Sequence, residues 1–527
     1  MEHQCEDWRE GEQGLTLGQI YGRRSRVAED NKFDLVIIGS GNGGYIPAIR
    51  ASQLGMTVAL VEKEQNLGGT CLNWGCIPTK ALLHTAELLN AFNHSEDFGV
   101  NVNGAELNYE QLAEYRDRVV GRLQKGVSGL MRKNKVQVFT GVGSFVEPKK
   151  VKVEGEDGET QELEGENILI ATGSEVRTLP GLEIDHEKVI SSDDIVTAKD
   201  YASSVIILGS GAVGTEFASM YNDYGADVTI VEVLDKLLPA EDPDISDELR
   251  KRFEERGIRV MTGTMADSES LEKTDDGIKI TVSPVSEGKQ EEEEEEADEE
   301  STYGGEADPA EEGAADDGGE TLEAEQILVA IGRKTAIESL NLDVTSVEVN
   351  DGGEIQVDEF YRTAEDGVYA SGDVIGGYWL AHAAGHEGIV AVEHMAGEDP
   401  LPLDQNLIPR VTFCRPEVAS FGLTREQAED EGYEVKESQF PFRAIGKALI
   451  EGEPNGFVKV VADAETDLLL GMHAIGPKVT DLIAEGVFAK LVEGTPEEIG
   501  MSVHAHPSLS EIMGEAAMAV EGHAIHM

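Results

Sequence analysis

The stretch "DLVIIGSGNGGYIPAIRASQLGMTVALVE", residues 34–62, decides the fold because the chain repeats it. "SVIILGSGAVGTEFASMYNDYGADVTIVE", residues 204–232, overlays it at a constant offset of 170 without a gap. Both copies run from a short apolar segment through G-x-G-x-x-G into a helix-like stretch, then to a second apolar run that closes on Glu. One G-x-G-x-x-G is weak evidence; two, each after a strand and before a helix, predict two β-α-β dinucleotide-binding units. In each, the first glycine (Gly39, Gly209) allows the tight turn and the second (Gly41, Gly211) lets backbone approach a pyrophosphate. The third (Gly44, Gly214) packs helix on strand, and the pyrophosphate sits on the helix N-terminus. Glu62 and Glu232 follow the third glycine by 18 residues and can accept from ribose hydroxyls. A carboxylate at Glu232 would repel a 2′-phosphate, so NAD is expected over NADP. Pro47, inside the first helix pattern where the second copy has Phe217, is expected to clash with the Gly43 carbonyl and to kink the helix.

Outward from the repeat, the predicted organisation is an extension at 1–31, a first nucleotide-binding part at 32–181 and a second at 182–322. A return to the first unit at 323–400 and an α+β domain at 401–527 complete it. "VQVFTGVGSFVEPKKVKV" alternates like hairpin strands, and "ENILIATGSEVRTLPG" reads as a strand ending on a glycine turn. Residues 284–321 are dense in like charge and poor in apolar residues, which predicts a solvated insertion between two strands. The expected fold class is α/β, with two Rossmann-like, three-layer nucleotide-binding domains and a C-terminal α+β dimerisation domain.

The 527 residues are too many for one core. With 103 acidic against 42 basic residues, the net charge is −61. That excludes nucleic-acid binding, which needs clustered Lys and Arg, and argues against an anionic membrane surface. The regular apolar segments exclude wholesale disorder, leaving a surface adapted to high salt, where the screening length falls to about 3 Å. "MEHQCEDWREGEQG" has no apolar stretch of the secretory kind and no run is long enough to span a bilayer, so a cytoplasmic location is expected.

In this cysteine-poor chain, two of four cysteines fall in "NLGGTCLNWGCIPTKALL", residues 66–83. Zinc wants four ligands, and Cys71 and Cys76 with only His84 nearby leave its shell incomplete. On a regular helix, positions five apart diverge by about 140° and about 7.5 Å, too far for a comfortable disulfide. The pair can bridge only through irregular backbone, which Gly68, Gly69 and Gly75 permit. Two ordinary buried thiols stay open on spacing alone, but in a reducing compartment a redox role fits better.

"GGTCLNWGCIPTK" resembles the redox-active segment of the flavin-dependent pyridine nucleotide-disulfide oxidoreductases. The likeness continues through "ATGSEVRTLPG", "GAVGTEFA", "VAIGRKT", "VYASGDV", "LAHAAGHEG", "IPRVTFCRPEVASFG" and "HAHPSLSEIMGEAA", covering most of 33–525. It is nearest to the members that oxidise dihydrolipoyl groups with NAD. The resemblance implies FAD on the first repeat, NAD on the second, and a homodimer acting on a lipoyl-bearing protein or free dihydrolipoamide. It implies a Cys71–Cys76 redox disulfide, Cys71 facing substrate and Cys76 the flavin. Asp373 would contact the flavin's ribityl–phosphate portion, and Lys80 would lie near its ring, paired with Glu216. The implied cofactor contacts further include Gly69, Thr70, Gly143, Thr172, Gly173, Gly332, Ala381 and His382.

A thiol with a pKa near 8.5 is only about 3% ionised at pH 7, so dithiol chemistry needs a base. His506 and Glu511 match the family's His–Glu dyad, imidazole moving the proton and carboxylate fixing the tautomer. The same "SLSE" also reads as a capping box with Ser508 as N-cap and Glu511 at N3. His504 is spaced wrongly from Glu511 for the dyad, and His382 and His386 could share a helix face but are expected near the cofactor. Cys414, where the family usually has Thr, reads as a buried bystander. The competing readings are another NAD(P)H-dependent disulfide reductase and a nucleotide-sensing flavoprotein without turnover.

Overall fold

The structure is a computed structural model that describes residues 31–275, 277–285 and 319–527. Two parallel sheets carry the repeat. In the first, strand Lys32–Ile38 lies between Val58–Glu62 and the long strand Thr160–Ile170, parallel to both. Gln137–Thr140 extends this sheet beyond Val58–Glu62, and Val368–Ala370 returns late in the chain beside Thr160–Ile170. The expected hairpin forms from Val142–Glu147 and Lys150–Glu154, and joins the same sheet antiparallel. The strands are near-continuous apolar runs because both faces are covered, one by helices and the other by the hairpin strands and the segment around Leu340 and Ile355; Leu35, Val36 and Ile37 are all fully buried.

The second sheet orders Arg259–Met261, Asp227–Val231, Ser204–Leu208, Gln326–Val329 and Val189–Ile190, all parallel. Gln326–Val329 pairs with the glycine-loop strand, so this unit runs past the expected boundary at 322. Beside it, Thr264–Lys273, Ile278–Pro284 and Glu320–Ala324 form a three-stranded antiparallel sheet. The acidic insertion and the N-terminal extension lie outside the described residues, except at their edges. Pro284, Glu320 and Thr321, expected in the insertion, are strand residues. The third unit is a five-stranded antiparallel sheet, Arg410–Thr412, Glu417–Gly422, Leu469–Gly476, Phe457–Asp463 and Val435–Pro441 in spatial order. Glu511–Val520 packs its apolar face against that sheet.

The repeat is visible as shared geometry. Gly39 and Gly209 have φ of +102° and +96°, and a Cβ on either would lie 2.1 or 2.4 Å from a carbonyl, of Ala171 or Ala330. Only glycine allows the strand to turn there.

Pro47 corrects an expectation. The helix Asn42–Gln53 runs on as one element through it. Pro47 has no N–H to give the Gly43 carbonyl, and the Ser371 hydroxyl donates to that oxygen instead, at 3.0 Å. The ring's bulk is met by Gly388 on the facing helix Ala381–Met395, where any Cβ would fall 2.7 Å from Pro47 Cγ. A remote hydroxyl and a remote glycine thus absorb what the local rule forbids.

Candidate active site

Cys71 lies in a one-turn helix, Gly69–Asn73, and Cys76 opens the long helix Cys76–Asn93. Between them Trp74 and Gly75 leave helical geometry, with φ/ψ of −146°/17° and −119°/−115°. A Cβ on Gly75 would lie 2.9 Å from the Thr70 carbonyl and 3.2 Å from Cys71 Cα, so glycine is what lets the second helix start against the first. The irregularity that spacing demanded is therefore present, and it brings the sulfurs together. They stand as two thiols joined by a hydrogen bond. That bond, with burial, pushes the Cys71 thiol up. The same bond pulls Cys76 down against its burial, helped by the nearby Lys80 charge. The pair is unequal: one sulfur keeps the proton and the other is prepared as thiolate.

Lys80 is one turn beyond Cys76, and its Nζ donates to both oxygens of Glu216 at 2.8 and 2.7 Å. Glu216 comes from Ala212–Asp223, the helix of the second glycine loop, and is only 4% exposed. Its Oε1 also accepts from the Phe413 backbone N–H at 2.9 Å, while the Phe413 ring lies 4.9 Å from Lys80 Nζ. Burial pulls the ammonium down, but Glu216 and the two sulfurs outweigh it and hold Lys80 above its ordinary value. The cysteine pair, Lys80, Glu216 and Phe413 thus draw on all three units.

Around the first glycine loop, Glu62 accepts from Ser40 N and Oγ on one oxygen, at 2.8 and 2.5 Å, and from Glu64 N on the other. Glu232 repeats this with Ser210 N at 2.6 Å and Leu234 N at 2.9 Å, and burial pushes its carboxyl up. Each glutamate therefore fixes its loop before it meets any ribose. Gly41 and Gly69 meet closely, a Cβ on Gly69 falling 2.6 Å from Gly41 Cα, whereas the space above Gly211 is open. Thr172 Oγ1 and Ser210 Oγ are buried without a partner among the described residues, one beside each glycine loop. Bare backbone with an orphaned hydroxyl is what a pyrophosphate or ribose would satisfy, so these residues fit FAD on the first loop and NAD on the second.

Asp373 begins a short 3-10 turn and accepts from Ser174 Oγ at 2.5 Å; Arg333 Nε donates to the same hydroxyl at 2.7 Å. Gly173 and Gly332 have open space where a Cβ would stand. Gly143 instead packs on Ile38 and Val61, so its small size already has a packing reason. Ala381 starts the helix that carries His382, whose Nε2 meets the Pro409 carbonyl at 2.7 Å; burial pushes that imidazole down. His386 Nδ1 meets the His382 carbonyl. Cys414 is buried with its Sγ on the Pro416 carbonyl, and burial pushes its thiol up.

His506 Nδ1 meets Glu511 Oε1 at 2.8 Å, while Glu511 Oε2 accepts from Ser508 N at 3.0 Å. Both bonds hold the Glu511 carboxyl below its usual range. The capping-box reading is corrected: the helix starts at Glu511 itself, and Ser508 Oγ is engaged with Ser510 Oγ. The imidazole, 79% exposed, points its other nitrogen away from its own chain's support. His504 is paired with Glu485 at 2.8 Å.

Sequence reasoning missed Glu387, a buried carboxylate that accepts from Gly372 N at 2.7 Å, next to Asp373. Burial pushes it up to about 7. An acid on the apolar face of "LAHAAGHEG" was the available signal. Ser40 and Ser210 were also missed, though the repeat itself displays them as "GSG" twice. Among the described residues no helix is long and apolar enough to cross a membrane.

Residues 33–388 match the model of the pyridine nucleotide-disulphide oxidoreductase family, and 408–517 match that family's dimerisation domain. The chain is 44% identical to the dihydrolipoyl dehydrogenase of Bacillus subtilis, over 94% of this chain and 99% of that one. It is 40% identical to the dihydrolipoyl dehydrogenase of Zymomonas mobilis, with the same two coverages. Among solved structures, LpdA from Mycobacterium tuberculosis superposes with a TM-score of 0.81 at 25% identity, over 93% of this chain and 99% of that one.

Proposed function

The chain belongs to the pyridine nucleotide-disulphide oxidoreductase family, and on that premise we propose that it oxidises dihydrolipoyl groups to lipoyl groups while NAD is reduced to NADH. The observation that carries this reading is the junction of the unequal Cys71–Cys76 pair with Lys80, itself held by Glu216 from the second nucleotide-binding unit. A dithiol oxidised at that point has both dinucleotide folds within reach.

In the oxidised enzyme Cys71 and Cys76 form a disulfide. A substrate thiolate attacks Cys71 Sγ, the S–S bond breaks, and Cys76 leaves as a thiolate facing the Lys80 ammonium. The second substrate thiol gives up its proton to an imidazole and attacks the substrate sulfur of the mixed disulfide. That S–S bond breaks, the cyclic disulfide is released, and the departing Cys71 Sγ takes the proton back from the imidazolium. What remains is a Cys71 thiol beside a Cys76 thiolate, the arrangement the hydrogen bond between the sulfurs favours. His506 is the proton acceptor, its Nδ1 fixed by Glu511 so that Nε2 is presented to substrate. FAD, when bound, supplies the two-electron relay from the dithiol to NAD. Gly41, Gly69, Thr172, Gly173 and Asp373 would hold FAD; Gly211, Ser210, Glu232 and Gly332 would hold NAD.

The exposure of His506 supports a homodimer in which the imidazole of one protomer serves the cysteine pair of its partner. Exposed apolar side chains nearby in the chain, Phe488, Leu491, Met501 and Val503, supply a surface that association would cover. The substrate is a lipoyl arm on a carrier protein or free dihydrolipoamide, and the net charge of −61 points to a high-salt cytoplasm.

The test is NADH formation from dihydrolipoamide and NAD by the FAD-loaded protein at molar KCl. Cys71→Ser should abolish it, and His506→Ala should lower turnover about 100-fold or more, the usual contribution of a positioned base. An FAD-loaded wild-type protein that forms no NADH overturns the assignment.

A further inference from the structure

A seam of buried charge joins the second nucleotide-binding unit to the C-terminal sheet, and the reaction steps above leave it unused. Glu241 and Asp242 lie in it, 3% and 1% exposed. Lys459 Nζ reaches Asp242 Oδ2 at 2.9 Å, and Arg410 Nε reaches Glu241 Oε1 at 3.3 Å. Arg410 and Ser420 stand directly opposite each other on antiparallel strands, and both donate to the Glu241 carboxylate, one to each oxygen. The place of this clamp within the repeat is telling. Gly68 N bonds the Ser40 carbonyl in the first unit, and Leu238 N bonds the Ser210 carbonyl in the second, the same offset of 170. By that register Glu241 occupies in the second unit the position of Cys71 in the first.

Buried ion pairs add little net stability compared with apolar packing, yet they are costly to break; what they confer is geometry. Here the geometry concerns the short strand Arg410–Thr412 and its flanks. At its entrance the Pro409 carbonyl meets His382 Nε2, and the Arg410 guanidinium lies 5.6 Å from the Tyr378 ring centroid. At its exit the Phe413 amide reaches Glu216 and the Phe413 ring underlies Lys80. Phe413, whose amide binds the carboxylate that holds the active-site cation, is therefore only three positions beyond the clamped Arg410.

We propose that Arg410 is a positioning residue: clamped by Glu241, it fixes the segment 409–413 so that the Phe413 amide and ring set Glu216 and Lys80 against the Cys71–Cys76 pair. This rests on the reading of that pair as the reacting dithiol. Loss of the clamp lets Lys80 move away from the sulfurs, and the thiolate loses its nearest cation.

The experiment uses the FAD-loaded dimer, reduced with dithiothreitol, and follows the pH profile of iodoacetamide alkylation at Cys71 and Cys76 by peptide mass. Arg410→Met should move the apparent thiol pKa upward by about half a unit, about a threefold smaller thiolate fraction at a fixed pH well below that pKa. Arg410→Lys, which can still meet Glu241, should recover part of that shift. A folded Arg410→Met protein with the wild-type profile overturns the inference. If Arg410→Met alone does not fold, Arg410→Met with Glu241→Leu removes the stranded carboxylate, and its profile decides the matter in the same way. A wild-type enzyme without turnover or without a titrating thiol refutes the reaction assignment itself, whatever Arg410 does.

Discussion

Lys80→Met isolates the interaction that joins the cysteine helix to the second nucleotide-binding unit. Glu216 is 4% exposed and accepts three hydrogen bonds, two of them from Lys80 Nζ. Methionine keeps most of the stem and removes the charge, so a buried carboxylate is left with the Phe413 amide alone. Stranding one partner of a buried pair costs about 3–5 kcal/mol. The Phe413 amide still serves one oxygen of Glu216, so the lower end, about 3 kcal/mol, applies here. Adding Glu216→Leu removes the stranded charge, and the double variant should return to within about 1 kcal/mol of wild type. Equilibrium urea unfolding of the FAD-loaded protein reads the stability of all three proteins. In parallel, thiol alkylation should show the Cys76 titration moving upward in both Lys80 variants, because the cation that favours the thiolate is gone. A Lys80→Met protein within about 1 kcal/mol of wild type at pH 8, or a double variant weaker than the single one, would refute the claim that Glu216 depends on Lys80 for its burial.

Two further outcomes follow from particular buried groups. Burial lifts Glu387 from an ordinary value of 4.5 to about 7, so the folded state holds that proton more tightly than the unfolded chain. Its contribution to stability is fully present below pH 4.5 and is lost as pH rises through about 7. Glu387→Gln cannot ionise, so its stability relative to wild type should rise between pH 4.5 and pH 8 by up to about 3 kcal/mol; a flat difference in thermal midpoints across that range refutes the buried-acid account. Ser371→Ala removes the donor that serves the Gly43 carbonyl and should cost about 1–3 kcal/mol in the wild-type background. In a Pro47→Ala background the new N–H can serve that carbonyl, so Ser371→Ala should cost less than about 1 kcal/mol; equal costs in the two backgrounds, by urea unfolding, remove the proposed compensation.

The sequence by itself determined the two nucleotide-binding units, because their signal is local: apolar strands, G-x-G-x-x-G and a closing glutamate at fixed short spacing, twice over. It also singled out Cys71 and Cys76 and showed that a regular helix could not join them. What it left to the tertiary structure were matters of distance along the chain. Ser371 answers Pro47 from 324 residues away, and Gly388 makes room for the ring. Residue spacing near Pro47 could therefore predict a break but not its cure. Gln326–Val329 looked like the start of a return to the first unit, yet it pairs in the second, because strand neighbours are chosen by hydrogen bonding across the sheet. Glu511 looked equally like a helix cap and a catalytic partner; only coordinates show one oxygen on Ser508 N and the other on His506. The same holds for Lys80. Its place four residues after Cys76 is written in the sequence, but the charge that makes it useful there is held by Glu216, and Glu216 by the Phe413 amide, each from a different unit of the fold. Local pattern fixes which elements form; long-range burial decides which polar groups must find each other, since each one hidden from water has to be matched inside the protein.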